Sequence, residues 1–178
     1  MTSTDDAPPA SRTDLKGDRA LTAQAVTINR PAGELYAYFR ALTNLPNFME
    51  NVVRIDDLGD RRTHWVVKAP AGKTVEWDAE IIEDVPDTSL TWRSLDGADV
   101  PNSGRIEFRD AGARGTVVTA TIAYEPPGGT VGKFVAKLFQ REPAIQARRD
   151  LRRFKQLMET GEIATAARTR AEHAKEVE

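Results

Sequence analysis

Apolar and polar residues alternate in short segments between residues 21 and 124, which is the pattern of β-strands buried on one side. We predict seven such strands, at residues 21–28, 52–58, 63–69, 75–84, 89–94, 104–109 and 116–124. The last six follow one another through turns rich in Gly, Asp and Pro. Because connections this short join antiparallel neighbours, we expect a meander and exclude a parallel α/β fold.

The alternation also assigns the two faces of the predicted sheet. On three of the central strands the dry face consists of Val75, Trp77, Ala79, Ile81, Leu90, Trp92, Ile106 and Phe108. The opposite face carries carboxylates on one strand and arginines on the others, which suits cross-strand ion pairs on a sheet covered on one side only. In the first strand the apolar positions are Leu21, Ala23 and Ala25, followed by Val26 and Ile28.

Two short helices are predicted after the first strand, at residues 32–40 and 42–48. Asn29 is a candidate N-cap, Pro31 suits the first helical turn, and Pro46 interrupts the second helix. The buried stripe of the first helix would consist of Leu35, Tyr36 and Phe39. A much longer amphipathic segment at residues 129–162 is predicted to cover the dry face of the sheet.

Two residues are expected to interrupt or end the helix in this long C-terminal segment. Pro143 lacks an amide hydrogen and should kink or break the helix, while Gly161 is well placed as a C-terminal cap. Residues 1–19 are polar and are predicted to be a disordered leader, residues 20–163 form the folded domain, and residues 164–178 form a polar tail. The expected architecture is α+β, a curved antiparallel sheet of about seven strands around a long C-terminal helix.

The amino-acid composition excludes several classes of function. The formal net charge of -2 argues against nucleic acid as a partner and against general attraction to anionic lipid. The chain contains no cysteine, which excludes disulfides, thiolate metal sites and cysteine nucleophiles. Neither a signal-peptide core nor a run of eighteen apolar residues is present, so we expect a soluble protein and take the cytoplasm as its location.

Several segments resemble the bacterial polyketide cyclase/dehydrase branch of the START-related superfamily, which is related to coenzyme Q-binding proteins. They are residues 90–97 (LTWRSLDG), 102–108 (NSGRIEF), 124–129 (YEPPGG), and the Glu142-Pro143 pair followed by 150–161 (DLRRFKQLMETG). The resemblance spans residues 20–163 and implies the helix-grip fold, in which sheet and C-terminal helix enclose an apolar pocket. It does not fix a reaction, because members share a cavity rather than a chemistry.

From this resemblance we expect an apolar small-molecule ligand, such as a lipid, a quinone or a polyketide-like aromatic compound. The candidate ligand-binding residues are Trp65, Trp77, Trp92, Phe108, Phe134 and Leu138. Their aromatic rings could stack on a flat or isoprenoid ligand, although they could equally pack an ordinary core. No cofactor or metal is expected, because His64 is the only histidine in the folded part and nucleotide-binding motifs are absent.

A polyketide cyclase or dehydratase activity is the second hypothesis. The polar residues nearest to the predicted pocket are Glu76, Arg93, Asn102 and Tyr124. However, Glu76 and Arg93 alternate onto the wet face, where a surface ion pair is the simpler role. Asn102 lies in a turn-like segment, where its side chain tends to bond its own backbone.

A third hypothesis makes the domain an accessory protein that docks through its last helix. The residues concerned are Arg148, Arg149, Arg152, Arg153 and Lys155. Interleaved with apolar residues, they could contact a membrane surface or an acidic partner. Alternatively, they suit the C-terminal half of a helix and pair with Asp150 and Glu159. The sequence does not reveal the oligomeric state.

Overall fold

The computed structural model describes residues 20–125 and 143–163. Its strands are β1 (Ala20–Ile28), β2 (Val52–Gly59), β3 (Arg62–Lys68), β4 (Thr74–Val85), β5 (Ser89–Ser94), β6 (Asn102–Asp110) and β7 (Thr116–Tyr124). They form one antiparallel sheet in the order β1-β7-β6-β5-β4-β3-β2. The predicted strands and their antiparallel pairing are therefore confirmed, and β1 closes the meander by pairing with β7.

Two α-helices are described, α1 (Ala32–Arg40) and α2 (Pro143–Thr160), together with short 3-10 turns at Leu42–Asn47, Pro70–Gly72 and Gly112–Arg114. Helix α1 has the predicted bounds, but Asn29 does not cap it. Pro31 occupies the N-cap position, with extended backbone and no side-chain capping bond. The proline fixes the chain direction at this point, so a capping side chain is not needed to start the helix.

The alternation assigns the sheet faces correctly on β4, β5 and β6. Along β4, Val75, Ala79 and Ile81 are buried and Trp77 is partly buried, while Glu76 and Asp78 are exposed. Since the sheet is curved around helix α2, we call the apolar side the concave face. Helix α2 contacts this side through Leu151 and Phe154, which are 4% and 0% exposed. The sheet therefore grips the helix as predicted.

The first strand differs from its predicted face. Thr22, Gln24, Val26 and Ile28 are all buried, whereas the intervening residues are partly exposed. The predicted apolar set at Leu21, Ala23 and Ala25 therefore lies on the outer face. The side-chain period of a strand is two, so the anchoring of Val26 and Ile28 in the core also turns Thr22 and Gln24 inward.

The C-terminal end of α2 follows the prediction. Gly161 adopts a φ of 76°, and its amide donates to the carbonyl of Leu157 at 2.7 Å. This left-handed glycine ends the helix by satisfying a carbonyl of its last turn. The predicted helical stretch before Pro143 and the predicted kink at that proline lie outside the described residues.

Buried apolar residues form two clusters in the described part of the chain. The larger cluster includes Trp65, Trp92, Phe108 and Phe154 and joins α1, α2 and the sheet. The smaller cluster consists of Ala69, Val75, Val100 and Tyr124. Val67 and Trp77 are only partly buried and pack against both clusters. The concave face thus has two closed regions with these two residues between them.

Candidate ligand-binding site

Three indole rings stack side by side on the concave face. The Trp65 ring lies parallel to that of Trp77, with centroids 6.2 Å apart and planes at 15°, and to that of Trp92, at 6.2 Å and 13°. Trp65 and Trp77 are direct cross-strand partners on β3 and β4, whereas Trp92 belongs to β5. The rings of Trp65 and Trp92 therefore meet across β4. Ala79, a fully buried residue of that strand, is small enough to leave them room.

Two contacts hold the middle ring, Trp65, and one outer ring, Trp92, of this row. The indole nitrogen of Trp65 donates to the hydroxyl of Thr63 at 2.9 Å, which turns the ring along its own strand. The Trp92 ring lies on the backbone of Gly104, its cross-strand partner on β6. A Cβ atom at Gly104 would stand 2.1 Å from Cζ2 of Trp92, so only glycine accommodates the ring there.

Part of the concave face remains accessible. Trp65 and Trp92 are 3% and 7% exposed, but Trp77 is only partly buried. The same intermediate burial applies to three further residues of this face, Val67, Ala120 and Ile122. We call Val67, Trp77, Ala120 and Ile122 the apolar strip. Apolar surface that remains accessible inside a curved sheet is the kind of surface on which small-molecule ligands bind.

Polar groups also face the concave side, and two of them were missed by the sequence analysis. Thr22 and Gln24 of β1 are 9% and 7% exposed. The sequence contained a sign of this orientation: Thr22 and Gln24 alternate in step with the apolar residues Val26 and Ile28, so all four side chains point to the same face. Tyr124 is 9% exposed at the end of β7, and burial raises the pKa of its hydroxyl. That hydroxyl is therefore protonated at neutral pH and can donate a hydrogen bond.

The predicted site residues fall into three groups. Trp65, Trp77 and Trp92 form the stacked row. Phe108 faces the same side, but it is 5% exposed and packs edge-on against Tyr36 and Phe39 of α1, at 6.1 and 6.3 Å between ring centroids. Its position is therefore in the larger cluster rather than on the apolar strip. Phe134 and Leu138 lie outside the described residues.

The polar residues considered for catalysis are mostly turned away from the concave face. Arg93 pairs with Glu80 on the outer face, with Nη2 2.7 Å from Oε1. Glu76 is also on the outer face, 3.5 Å from Nε2 of His64. The side-chain amide of Asn102 donates to the carbonyl of Val100 at 2.8 Å, a local backbone bond of the predicted kind. Of the four candidates, Tyr124 is the one buried on the concave side.

A carboxylate at the end of β4 connects the sheet to helix α1 through hydrogen bonds. Asp84 accepts a hydrogen bond from the hydroxyl of Tyr36 and another, at 2.7 Å, from Nε of Arg40. Desolvation acts to raise the pKa of Asp84, but these two bonds and the charge of Arg40 outweigh it and hold the pKa below its ordinary value. The group therefore ties α1 to the sheet as an anion, and it is poorly suited to accept a proton.

The basic residues of α2 divide between the fold and the surface. Lys155 donates to the carbonyl of Thr27 at 2.5 Å and pairs with Glu159 at 3.1 Å. Arg153 lies 3.6 Å from Glu50. Exposed on the helix are Arg148, Arg149 and Arg152. Asp150, by contrast, is 8% exposed and faces the core, where the charge of Arg153 acts on it.

Metal-ligating side chains do not gather in groups of three or more anywhere in residues 20–125 or 143–163. In the same ranges, no helix is long and apolar enough to cross a membrane. A cavity of about 250 Å³ opens beside the β2–β3 turn, lined by charged residues that include Arg40, Asp57 and Arg61. It is polar, and it is not lined by the tryptophans.

The curved sheet around α2 and the tryptophan row on its concave face define a protein of the helix-grip class. A comparison of the sequence with protein-family models agrees with this class. The chain belongs to the family described as polyketide cyclase/dehydrase and lipid transport, whose model matches residues 19–159.

Known relatives extend this assignment. An uncharacterised 17.2 kDa protein from the melC2-rnhH intergenic region of Streptomyces lincolnensis is 30% identical over 137 residues, covering 76% of this chain and 87% of the relative. The crystal structure of DR_A0006 from Deinococcus radiodurans is 41% identical, with a TM-score of 0.67, covering 80% of this chain and 99% of that one. The Zhui aromatase/cyclase from a Streptomyces species matches at 13% identity and a TM-score of 0.60, covering 82% and 99%, which shows the shared fold alone.

Proposed function

We propose that this protein binds an apolar small molecule on the concave face of its sheet, beneath its C-terminal helix. The observation that carries the proposal is the apolar strip: Val67 and Trp77 keep accessible surface between the two closed clusters, and Ala120 and Ile122 keep it on β7. Family membership supports it, because a family of cyclases, dehydrases and lipid-transport proteins handles hydrophobic molecules. A lipid, a quinone or a polyketide-like aromatic compound has the required character.

Binding is favoured over catalysis by the direction of the polar side chains. Arg93 and Glu76 point to the outer face, and Asn102 bonds its own backbone. General acid or base catalysis requires a side chain within hydrogen-bond reach of the reacting atoms. Three of the four candidates therefore do not meet the geometric condition for chemistry on a ligand held at the apolar strip.

A pair of matched substitutions on β7 tests the proposal. Ala120 belongs to the apolar strip, and Ala123 lies on the outer face of the same strand; both are partly buried. The probe is 1-aminoanthracene, a neutral flat fluorophore whose emission rises in apolar surroundings. Wild-type protein should bind it saturably. Ala120→Phe should weaken binding by at least about tenfold, because the new ring occupies the volume that the ligand needs.

Ala123→Phe is the control and should leave the affinity within about twofold of wild type, since it adds the same ring on the opposite face. Circular dichroism melting checks that both variants fold, and the smaller Ala120→Leu replaces Ala120→Phe if the latter does not. Native mass spectrometry of freshly purified protein should also detect a co-purifying apolar species. Equal binding by the two folded variants, or no saturable binding by wild type, would contradict the proposal.

A further inference from the structure

Trp65 and Trp77 differ in how their N–H groups are satisfied. The Trp65 N–H has an internal partner, because it donates to the hydroxyl of Thr63 at 2.9 Å. The Nε1 atom of Trp77 is fully buried and has no hydrogen-bond partner among the residues that the structure describes. The two rings are stacked on neighbouring strands, and they differ in exposure, with Trp77 the more exposed, and in whether this donor is paired.

An unpaired donor at this position needs a physical reason. Burying an N–H without a partner costs about 1–3 kcal/mol, because the group loses its hydrogen bond to water and gains none in the protein. Native proteins leave few such groups, and each one points to strain, to a function or to a partner from outside the chain. A phenylalanine would fill most of the same space without this penalty, so the indole is not explained by packing alone.

The position of Trp77 indicates which of these reasons applies. It packs against both apolar clusters and belongs to the apolar strip, whose surface is accessible. Its ring is partly buried, while its N–H is enclosed. A molecule lying on the strip meets the apolar ring face, and it reaches the enclosed donor at the edge of that ring only when its binding opens the contacts that cover this edge.

We propose that Trp77 selects ligands that carry a neutral hydrogen-bond acceptor, such as a carbonyl or ether oxygen, at the end that lies against its indole edge. This inference rests on the proposed function and adds a chemical requirement to it. An indole N–H donates one hydrogen bond and accepts none, so it discriminates in favour of acceptors. The acceptor is neutral because a charged group without a full set of partners is far more costly to bury.

A matched pair of ligands isolates the oxygen atoms. The quinone menadione carries two carbonyl acceptors, and 2-methylnaphthalene has the same carbon skeleton without them. The chain has no cysteine, so menadione has no protein thiol to alkylate. Equilibrium dialysis of both ligands against wild type and Trp77→Phe gives an affinity ratio for each protein. We expect the ratio to shift against menadione by about five- to tenfold in Trp77→Phe, the effect of losing one buried hydrogen bond.

Trp65→Phe is the matched comparison, because it makes the same ring change where the N–H already has a partner. Its affinity ratio should equal that of wild type even if both ligands bind more weakly. An unchanged ratio in Trp77→Phe, with both ligands bound, overturns this inference and leaves the proposed function intact. If wild type binds neither ligand, the proposed function fails and this inference fails with it. A melting temperature for each variant shows that the comparison is made on folded protein.

Discussion

Gly104 determines where the Trp92 ring lies on the concave face. The indole rests on the glycine backbone, and any β-carbon there would meet it at 2.1 Å. The ring is in turn parallel to that of Trp65, so a displacement of Trp92 would disturb the whole row. At the scale of single residues, the arrangement of the site therefore depends on a position that has no side chain.

Gly104→Ala should destabilise the protein by about 2 kcal/mol, because a methyl group forced into a packed contact must displace the ring or the strand. Urea unfolding measures the change, and tryptophan emission should shift at the same time. Gly33→Ala is the control: its new Cβ would have no neighbour closer than 3.4 Å. That change should be neutral or stabilising by up to about 1 kcal/mol, since alanine favours helix. Equal effects from the two substitutions would refute the role assigned to Gly104.

Asp150 is the buried carboxyl group on the inner side of α2. It accepts hydrogen bonds from the side chain of Gln146 at 2.9 Å and from the amide of Glu50 at 3.4 Å. Desolvation nevertheless dominates and raises the pKa of Asp150 to about 6, against the opposing effect of these bonds and of the Arg153 charge; the charge of Glu50 raises it further. The folded state therefore binds this proton more tightly than the unfolded state does.

A raised folded pKa makes the contribution of Asp150 to stability largest below about pH 4, and that contribution falls by up to about 3 kcal/mol as the pH rises through 6. Asp150→Asn keeps an acceptor for Gln146 but cannot ionise. We expect the variant to match wild type near pH 4 and to exceed its stability at pH 7 to 8. Urea unfolding of both proteins across this range is the measurement, and parallel pH profiles would show that the carboxyl group is not desolvated as described.

At the scale of elements, Phe154 joins α2 to α1 and to the end of the 3-10 turn that follows α1. This residue is fully buried, and its ring lies 4.7 Å from that of Phe48, 5.9 Å from Phe39 and 6.0 Å from Tyr38, measured between centroids. One side chain thus joins the C-terminal helix to α1 and to the following 3-10 turn. The described part of α2 acts as the clamp of the grip.

Phe154→Ala should cost about 3–5 kcal/mol of unfolding free energy, because it removes a buried ring and leaves a cavity between elements that cannot close. On the same helix Ile145 is 47% exposed, and Ile145→Ala should change stability by no more than about 0.5 kcal/mol. Chemical denaturation of both variants gives the comparison. A loss below about 1 kcal/mol for Phe154→Ala would mean that α2 does not clamp the core.

The elements were predictable because each has a local signal, and the exceptions arise from contacts distant in sequence. Alternation and turn residues predicted every strand to within two residues at either end. They did not predict the irregularity in β4, where Ile82 is an additional residue between Ile81 and Glu83. There the amide of Ile81 donates to the carbonyl of Arg61, which continues the β3–β4 pairing by one residue at the point where the β4–β5 pairing shifts.

At the scale of the whole molecule, the concave face combines closed packing with an accessible strip. The sequence identified Trp65, Trp77 and Trp92 because they occur at inward positions of predicted strands. It could not reveal that Trp65 and Trp92 stack across β4 or that Trp77 alone among the three keeps partial exposure. These properties depend on the curvature of the sheet and on small residues such as Ala79 and Gly104, which carry no signal of their own.

The most direct test of the central claim is an NMR titration of protein carrying labelled indole N–H, Ala and Ile methyl groups, with menadione or 1-aminoanthracene as the ligand. If the ligand binds on the concave face, the Trp77 indole signal and the methyl signals of Ala120 and Ile122 will shift in a saturable manner. The methyl signals of Ala123 and Ile82, on the outer side of β7 and at the exposed irregularity of β4, will stay in place. Shifts confined to the outer residues, or none at all, would contradict the account.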